Sequence, residues 1–119
     1  MTATPDVHAD PKVPTRQGYW CECVAYFLEA GNPYVAHLGG HATPSPWTAV
    51  MWLAQRAGHI ADQLDHPSAR PVRAWLEDGR EHAHAVARLG RREPYAFVIC
   101  TGQLRFTLSA SPTAIDRYA

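Results

Sequence analysis

Hydrophobic and polar positions divide the chain into a sparse start, two long helical periods in the middle, and strand-like segments on either side. From Tyr19 to Glu29 the run YWCECVAYFLE accepts two readings. A helix would end at Gly31-Asn32-Pro33, with Gly as a left-handed cap. A strand suits the aromatic and Cys content better, and turns Gly31-Asn32-Pro33 into the link to a second strand, Tyr34 to Leu38. The strand hairpin is the preferred reading. Gly39-Gly40 and Thr43-Pro44-Ser45-Pro46 then read as loop.

The centre is patterned for helices. Ser45 is a good N-cap and Pro46 suits the first helical position, opening a helix to about Leu64. At 100° per residue Trp47, Val50, Met51, Leu53, Ala54, Ala57, Ile60, Ala61 and Leu64 fill one face. The other face carries Thr48, Gln55, Arg56, His59, Asp62 and Gln63, with Trp52 among them. After a break at His66-Pro67-Ser68, a second helix is expected from about Ala69 to Leu89. Its apolar stripe is Val72, Trp75, Leu76, Gly79, Ala83, Val86 and Leu89, with Gly79 a place for a kink. Two long helices with a short link imply an antiparallel helical hairpin.

Beyond Gly90, Tyr95 to Cys100 is apolar on both faces, which suits a central strand. Leu104 to Ala110 alternates, and Thr101-Gly102 is the turn between these strands. Pro112 to Ala119 reads as a final helical turn. The sum is an α+β domain in the order ββ-αα-ββ, a helical hairpin packed on a small antiparallel sheet. Residues 1–16 hold three Pro and only Val7 and Val13 as large apolar residues, so they are expected to be a flexible arm before a single domain, 17–119.

Composition narrows the functional classes. At 119 residues with 11 basic and 11 acidic side chains, the chain is neutral, which argues against a surface devoted as a whole to nucleic acid. No apolar run approaches the roughly 20 residues that a membrane span needs. Ten of the 11 basic residues are Arg, and 19 Ala stand beside three Ile and one Asn. That skew points to a GC-rich bacterial genome, so Arg is partly background. Three Cys, two of them one residue apart, do not make a stapled secreted scaffold. No signal-peptide pattern opens the chain, and a reducing cytoplasm is the expected compartment.

Three constellations carry candidate chemistry. Trp52, flanked by Gln55, Arg56 and His59, has the composition of an interface hot spot, and an exposed Trp would forgo roughly 2–3 kcal/mol of burial. The alternative is that the N-terminal hairpin or the sheet covers this face, making Trp52 ordinary core. Second, Arg70, Arg73, Glu77, Arg80, His84, Arg88 and Arg91 fall within about 80° of one helical face, a stripe able to track phosphates. The same stripe also suits the solvated side of an amphipathic helix. Third, Cys21-x-Cys23 and His37-x-x-x-His41 are zinc-type ligands at nearly finger-like separation. Opposing this, the Cys pair is tight and Gly39-Gly40 disfavours a helix under the His pair. The two Cys share a face only in a strand, and as buried hydrophobes they need no metal.

Enzyme signals are sparse. Cys100 at a strand end, with His82 or His84 as base, could form a nucleophilic pair, but no spacing requires it. The leading expectation is a non-enzymatic binding or regulatory module, working through a protein partner or as a homodimer. A nucleic-acid-associated regulator using the Arg stripe is the first alternative. A zinc protein or small metalloenzyme is the second.

Overall fold

The computed structural model describes residues 13–29 and 31–119. Most of the expected 1–16 arm therefore lies outside the described residues. Its last two residues, Thr15 and Arg16, open the first strand.

The element order is β1 (Thr15–Glu29), β2 (Asn32–Thr43), α1 (Pro46–Gln63), α2 (His66–Leu76), α3 (Gly79–Gly90), β3 (Tyr95–Thr101) and β4 (Leu104–Asp116). The strands form one antiparallel sheet in the order β2-β1-β4-β3. The α+β class and the β1–β2 hairpin agree with the sequence pattern. The centre does not, since three helices replace the expected pair.

The second helix divides because Asp78 leaves the helical conformation and caps α3, accepting from the Glu81 amide at 3.1 Å. The buried face changes phase across that break. Ala69, Val72 and Trp75 are buried in α2, then His82, Ala85 and Leu89 in α3, while Ala83 of the expected stripe is exposed. Nor is His66-Pro67-Ser68 a break. It forms the first turn of α2, with Asp65 accepting from the Ser68 amide at 2.8 Å and Pro67 placed where no helical N–H is missed.

Three strands outrun their expected limits, β1 by opening at Thr15 rather than Tyr19. β2 continues through Gly39-Gly40 to Thr43, with a bulge between Cys23 and Val24 that leaves Leu38 as the extra residue. Gly40 is needed because the Trp20 ring lies where a Cβ would project. β4 runs past Pro112 to Asp116, so the expected terminal helical turn is replaced by strand. Pro112 is tolerated there because β3 ends its pairing at Ala110, leaving β4 bonded only to β1.

All three helices pack on one face of the sheet. Tyr19, Cys21, Cys23 and Ala25 of β1 point into the core, with Leu108 and Ala110 of β4 and Tyr95 and Ile99 of β3. They meet Val50, Leu53, Ala57, Val72, Trp75 and Leu89 from the helices. Trp47, read as apolar-face, is instead 55% exposed at the start of α1. Two polar ties close the structure. The Tyr19 hydroxyl donates to the Leu89 carbonyl at 2.8 Å. Arg92, at φ 63°, donates to the Gly18 and Thr113 carbonyls and stacks on the Tyr19 ring, pinning β1 to β4.

β3 is an edge strand, not the central one its composition implied. Tyr95, Phe97 and Ile99 face the helices, whereas Ala96, Val98 and Cys100 face outward on a side of the sheet that carries no helix.

Candidate functional site

Two surfaces emerge, one on each side of the sheet. The first is the polar face of α1. Trp52 is half-buried and packs against the core, with β2 beside it: the His41 ring lies parallel at 6.3 Å between centroids. The Arg56 guanidinium stacks over Trp52 from the next turn, 5.1 Å from the ring centroid. It also lies against Gly39, where φ is 153° and a Cβ would meet the guanidinium. The helix period sets Trp52 and Arg56 four residues apart, and the bulge and glycine of β2 make room for both.

Beside Arg56 opens a cleft of about 340 Å³ between the C-terminal half of α1 and the end of the sheet. Leu38, Ile60, Leu64, Leu104 and Phe106 give it apolar walls, and Cys23 lies at its floor. Arg56, His59 and Gln63 are its polar residues. Burial pushes the Cys23 thiol up, partly offset by the Arg56 charge. Of the residues expected to bind a partner, Trp52, Arg56 and His59 gather at or beside this cleft, while Gln55 is exposed away from it. Leu38, Leu104 and Phe106 were not foreseen, because they arrive from two other elements.

The second surface is the open sheet face. β1 presents Trp20, Glu22, Val24 and Tyr26 there; β2 adds Val35 and His37; β4 adds Arg105, Thr107 and Ser109. Val98 of β3 is 49% exposed and Val35 is 55% exposed. Arg105 stacks on Tyr26 at 5.0 Å, and Glu22 pairs with His37 at 3.2 Å. Next to Tyr26 and Arg105 the face runs into a hollow of about 460 Å³ between the hairpin tips, lined also by Tyr34 and Leu104.

The remaining candidates are dispersed. Cys21 and Cys23 do share a face, but that face is the core, where burial raises the Cys21 thiol to about 12. His37 lies on the opposite face with Glu22, and His41 stacks toward Trp52. Among the described residues no three His, Cys, Asp or Glu side chains converge on a metal-sized point. Arg70, Arg73, Arg80, His84, Arg88 and Arg91 are all exposed, yet they sit on two helices and, for Arg91, on the cap that ends the second, rather than on one helix. Arg73 pairs with Asp62 at 2.9 Å, Arg91 with Glu93 at 3.3 Å, and Arg88 donates to the Pro94 carbonyl. Cys100 opens to the helix-free face, whereas His82 is buried under α3 on the other side. The sheet separates them. No helix among the described residues is long and apolar enough to cross a membrane.

Comparison with protein families, with curated proteins and with solved structures finds no match to this chain.

Proposed function

We propose that the protein is a non-enzymatic binding module that self-associates through the open face of its sheet. One observation carries this reading. β3 has the two-sided apolar pattern of a strand covered on both faces, yet its outward face carries no helix and leaves Val98 half-exposed. Tyr26, 36% exposed, and Val35 extend the same apolar surface across β1 and β2.

A second copy is the occupant that suits the surface. Four strands at about 4.8 Å spacing and some 35 Å of strand length make a face of about 600–700 Å² before side-chain relief. A stable pair buries about 800 Å² on each partner. The face also carries the Glu22 carboxylate and the Arg105 guanidinium, four register positions apart, with Arg16 further along β1. In a two-fold pairing each Glu22 meets the other copy's Arg105, so the surface is complementary to itself.

Sedimentation equilibrium over a range of concentrations tests this. The expected mass is twice 13.2 kDa, falling to 13.2 kDa for Val98→Glu and Thr107→Glu with circular dichroism unchanged. A wild-type protein that stays at 13.2 kDa at 100 µM rejects self-association. So does a dimer that survives both substitutions.

A further inference from the structure

The cleft beside α1 has features that an ordinary packing gap lacks. A guanidinium normally draws a carboxylate or is left to solvent. Arg56 is half-buried and, among the described residues, makes no ion pair. Its position is nonetheless fixed from two sides, by the Trp52 ring below it and by the Gly39 backbone. That removes much of the side-chain entropy a binding event would otherwise have to remove. The glycine and the β2 bulge are the local irregularities that create this seat, and bulges recur where a strand must re-aim side chains around a site.

The rest of the lining specifies what the charge serves. Leu38, Ile60, Leu64, Leu104 and Phe106 offer apolar wall, and no acidic side chain lines the cleft. His59 and Gln63 project from the same helix as Arg56 at three- and seven-residue spacing, so all three polar groups lie along one rim. Cavities of about 300–1,000 Å³ with mostly apolar walls and a few convergent polar groups are the usual form of small-ligand sites. The volume here, about 340 Å³, is at the small end of that range.

We infer that this cleft binds a small monocarboxylate with an apolar body. The carboxylate pairs with Arg56 and accepts from the Gln63 amide or His59, and the body lies against Leu104 and Phe106. Cys23 closes the floor as a neutral thiol, adding apolar surface without a competing charge. The polar residues of the cleft lie on the helix side of the sheet, away from the self-association face, and among the described residues Leu104 alone lines both this cleft and the hollow between the hairpin tips.

The test uses octanoate as probe and octanol as its uncharged counterpart, with affinity read by calorimetry and position by amide chemical shifts. Octanoate binds about tenfold more tightly than octanol, the effect of one charge-assisted hydrogen-bonded pair at a partly exposed site. Its shifts centre on Leu38, His59, Gln63 and Leu104. Arg56→Gln brings octanoate down to the octanol level. Leu38→Trp, which fills the cleft from an exposed position on β2, removes binding of both and keeps Arg56 in place. Equal affinity for the two probes overturns the inference, as does no octanoate binding at 10 mM. Shifts confined to another surface, or full affinity in Leu38→Trp, overturn it equally.

Discussion

Replacing Tyr95 by phenylalanine isolates one oxygen atom whose role can be worked in numbers. The hydroxyl is nearly buried, accepts from the Trp75 indole N–H at 3.1 Å and donates to Glu81 Oε2 at 2.8 Å. Its removal leaves the Trp75 donor unpaired beneath the Phe97 ring, in a residue only 7% exposed. It also deletes a hydrogen bond to a carboxylate. A buried unsatisfied donor costs about 1–3 kcal/mol and a bond to a charged group contributes about 1.5–3 kcal/mol. Because Glu81 can recover water, the expected cost near neutral pH is about 3 kcal/mol. That loss should shrink at high pH. Burial, with the Glu81 carboxylate beside it, pushes the Tyr95 hydroxyl from its ordinary value near 10 up to about 12. Between those values the unfolded chain has lost the proton and the folded one retains it, so stability falls as pH rises. Two pH units at 1.36 kcal/mol each amount to at most about 2.7 kcal/mol. The Tyr95→Phe protein has no proton to lose at this position, so the gap between the two proteins is nearly closed at pH 12. The raised Cys21 thiol destabilises both proteins alike above pH 9 and cancels in the difference. Urea unfolding followed by far-ultraviolet circular dichroism, at pH 7 and in steps from 9 to 12, measures this gap. A gap that stays constant across the range, or one below 1 kcal/mol at pH 7, refutes the reasoning.

The other expectations are simpler. His82 is buried against Trp75 with no hydrogen-bond partner on Nε2 among the described residues, so His82→Leu raises stability by about 1 kcal/mol; a lower urea midpoint contradicts this. Arg92→Ala removes both carbonyl contacts and the stacking on Tyr19 while keeping a strained positive φ, and should cost about 2 kcal/mol by the same assay. The two surfaces also separate cleanly: Val98→Glu is expected to leave octanoate affinity within twofold, and Arg56→Gln to leave the sedimentation mass unchanged. If one substitution abolishes both properties, the assignment of two independent sites is wrong.

What the sequence could convey depended on whether the cause was local. Ser45-Pro46 and the apolar stripe of α1 are local, and the helix begins where they indicate. The division at Asp78 was also locally encoded, since Asp78-Gly79-Arg80-Glu81 has the spacing of a capping pair. It was masked by the Arg and apolar periods, which continue through it almost unbroken. Gly39-Gly40 is the opposite case. Glycine ordinarily marks a break, and here it lies within a strand because the Trp20 ring and the Arg56 guanidinium, from β1 and α1, occupy the space of the missing side chains. Pro112 likewise ends only the β3 side of its pairing, a fact of sheet order rather than of the residue.

The candidate surfaces divide along the same line. Trp52, Arg56 and His59 stand out as a cluster from helical spacing alone, because they share one helix. The apolar half of their cleft needs Leu38 from β2 and Leu104 and Phe106 from β4, which are adjacent only after the sheet has formed. β3 gives the sharper lesson. Its two-sided apolar composition was a correct observation attached to the wrong cause. A second layer packed on the far side of the sheet is one way to cover both faces of a strand, and association with another molecule is the other. With all three helices on one side of the sheet, Ala96 and Val98 still call for a cover on the open face, and nothing among the described residues supplies it.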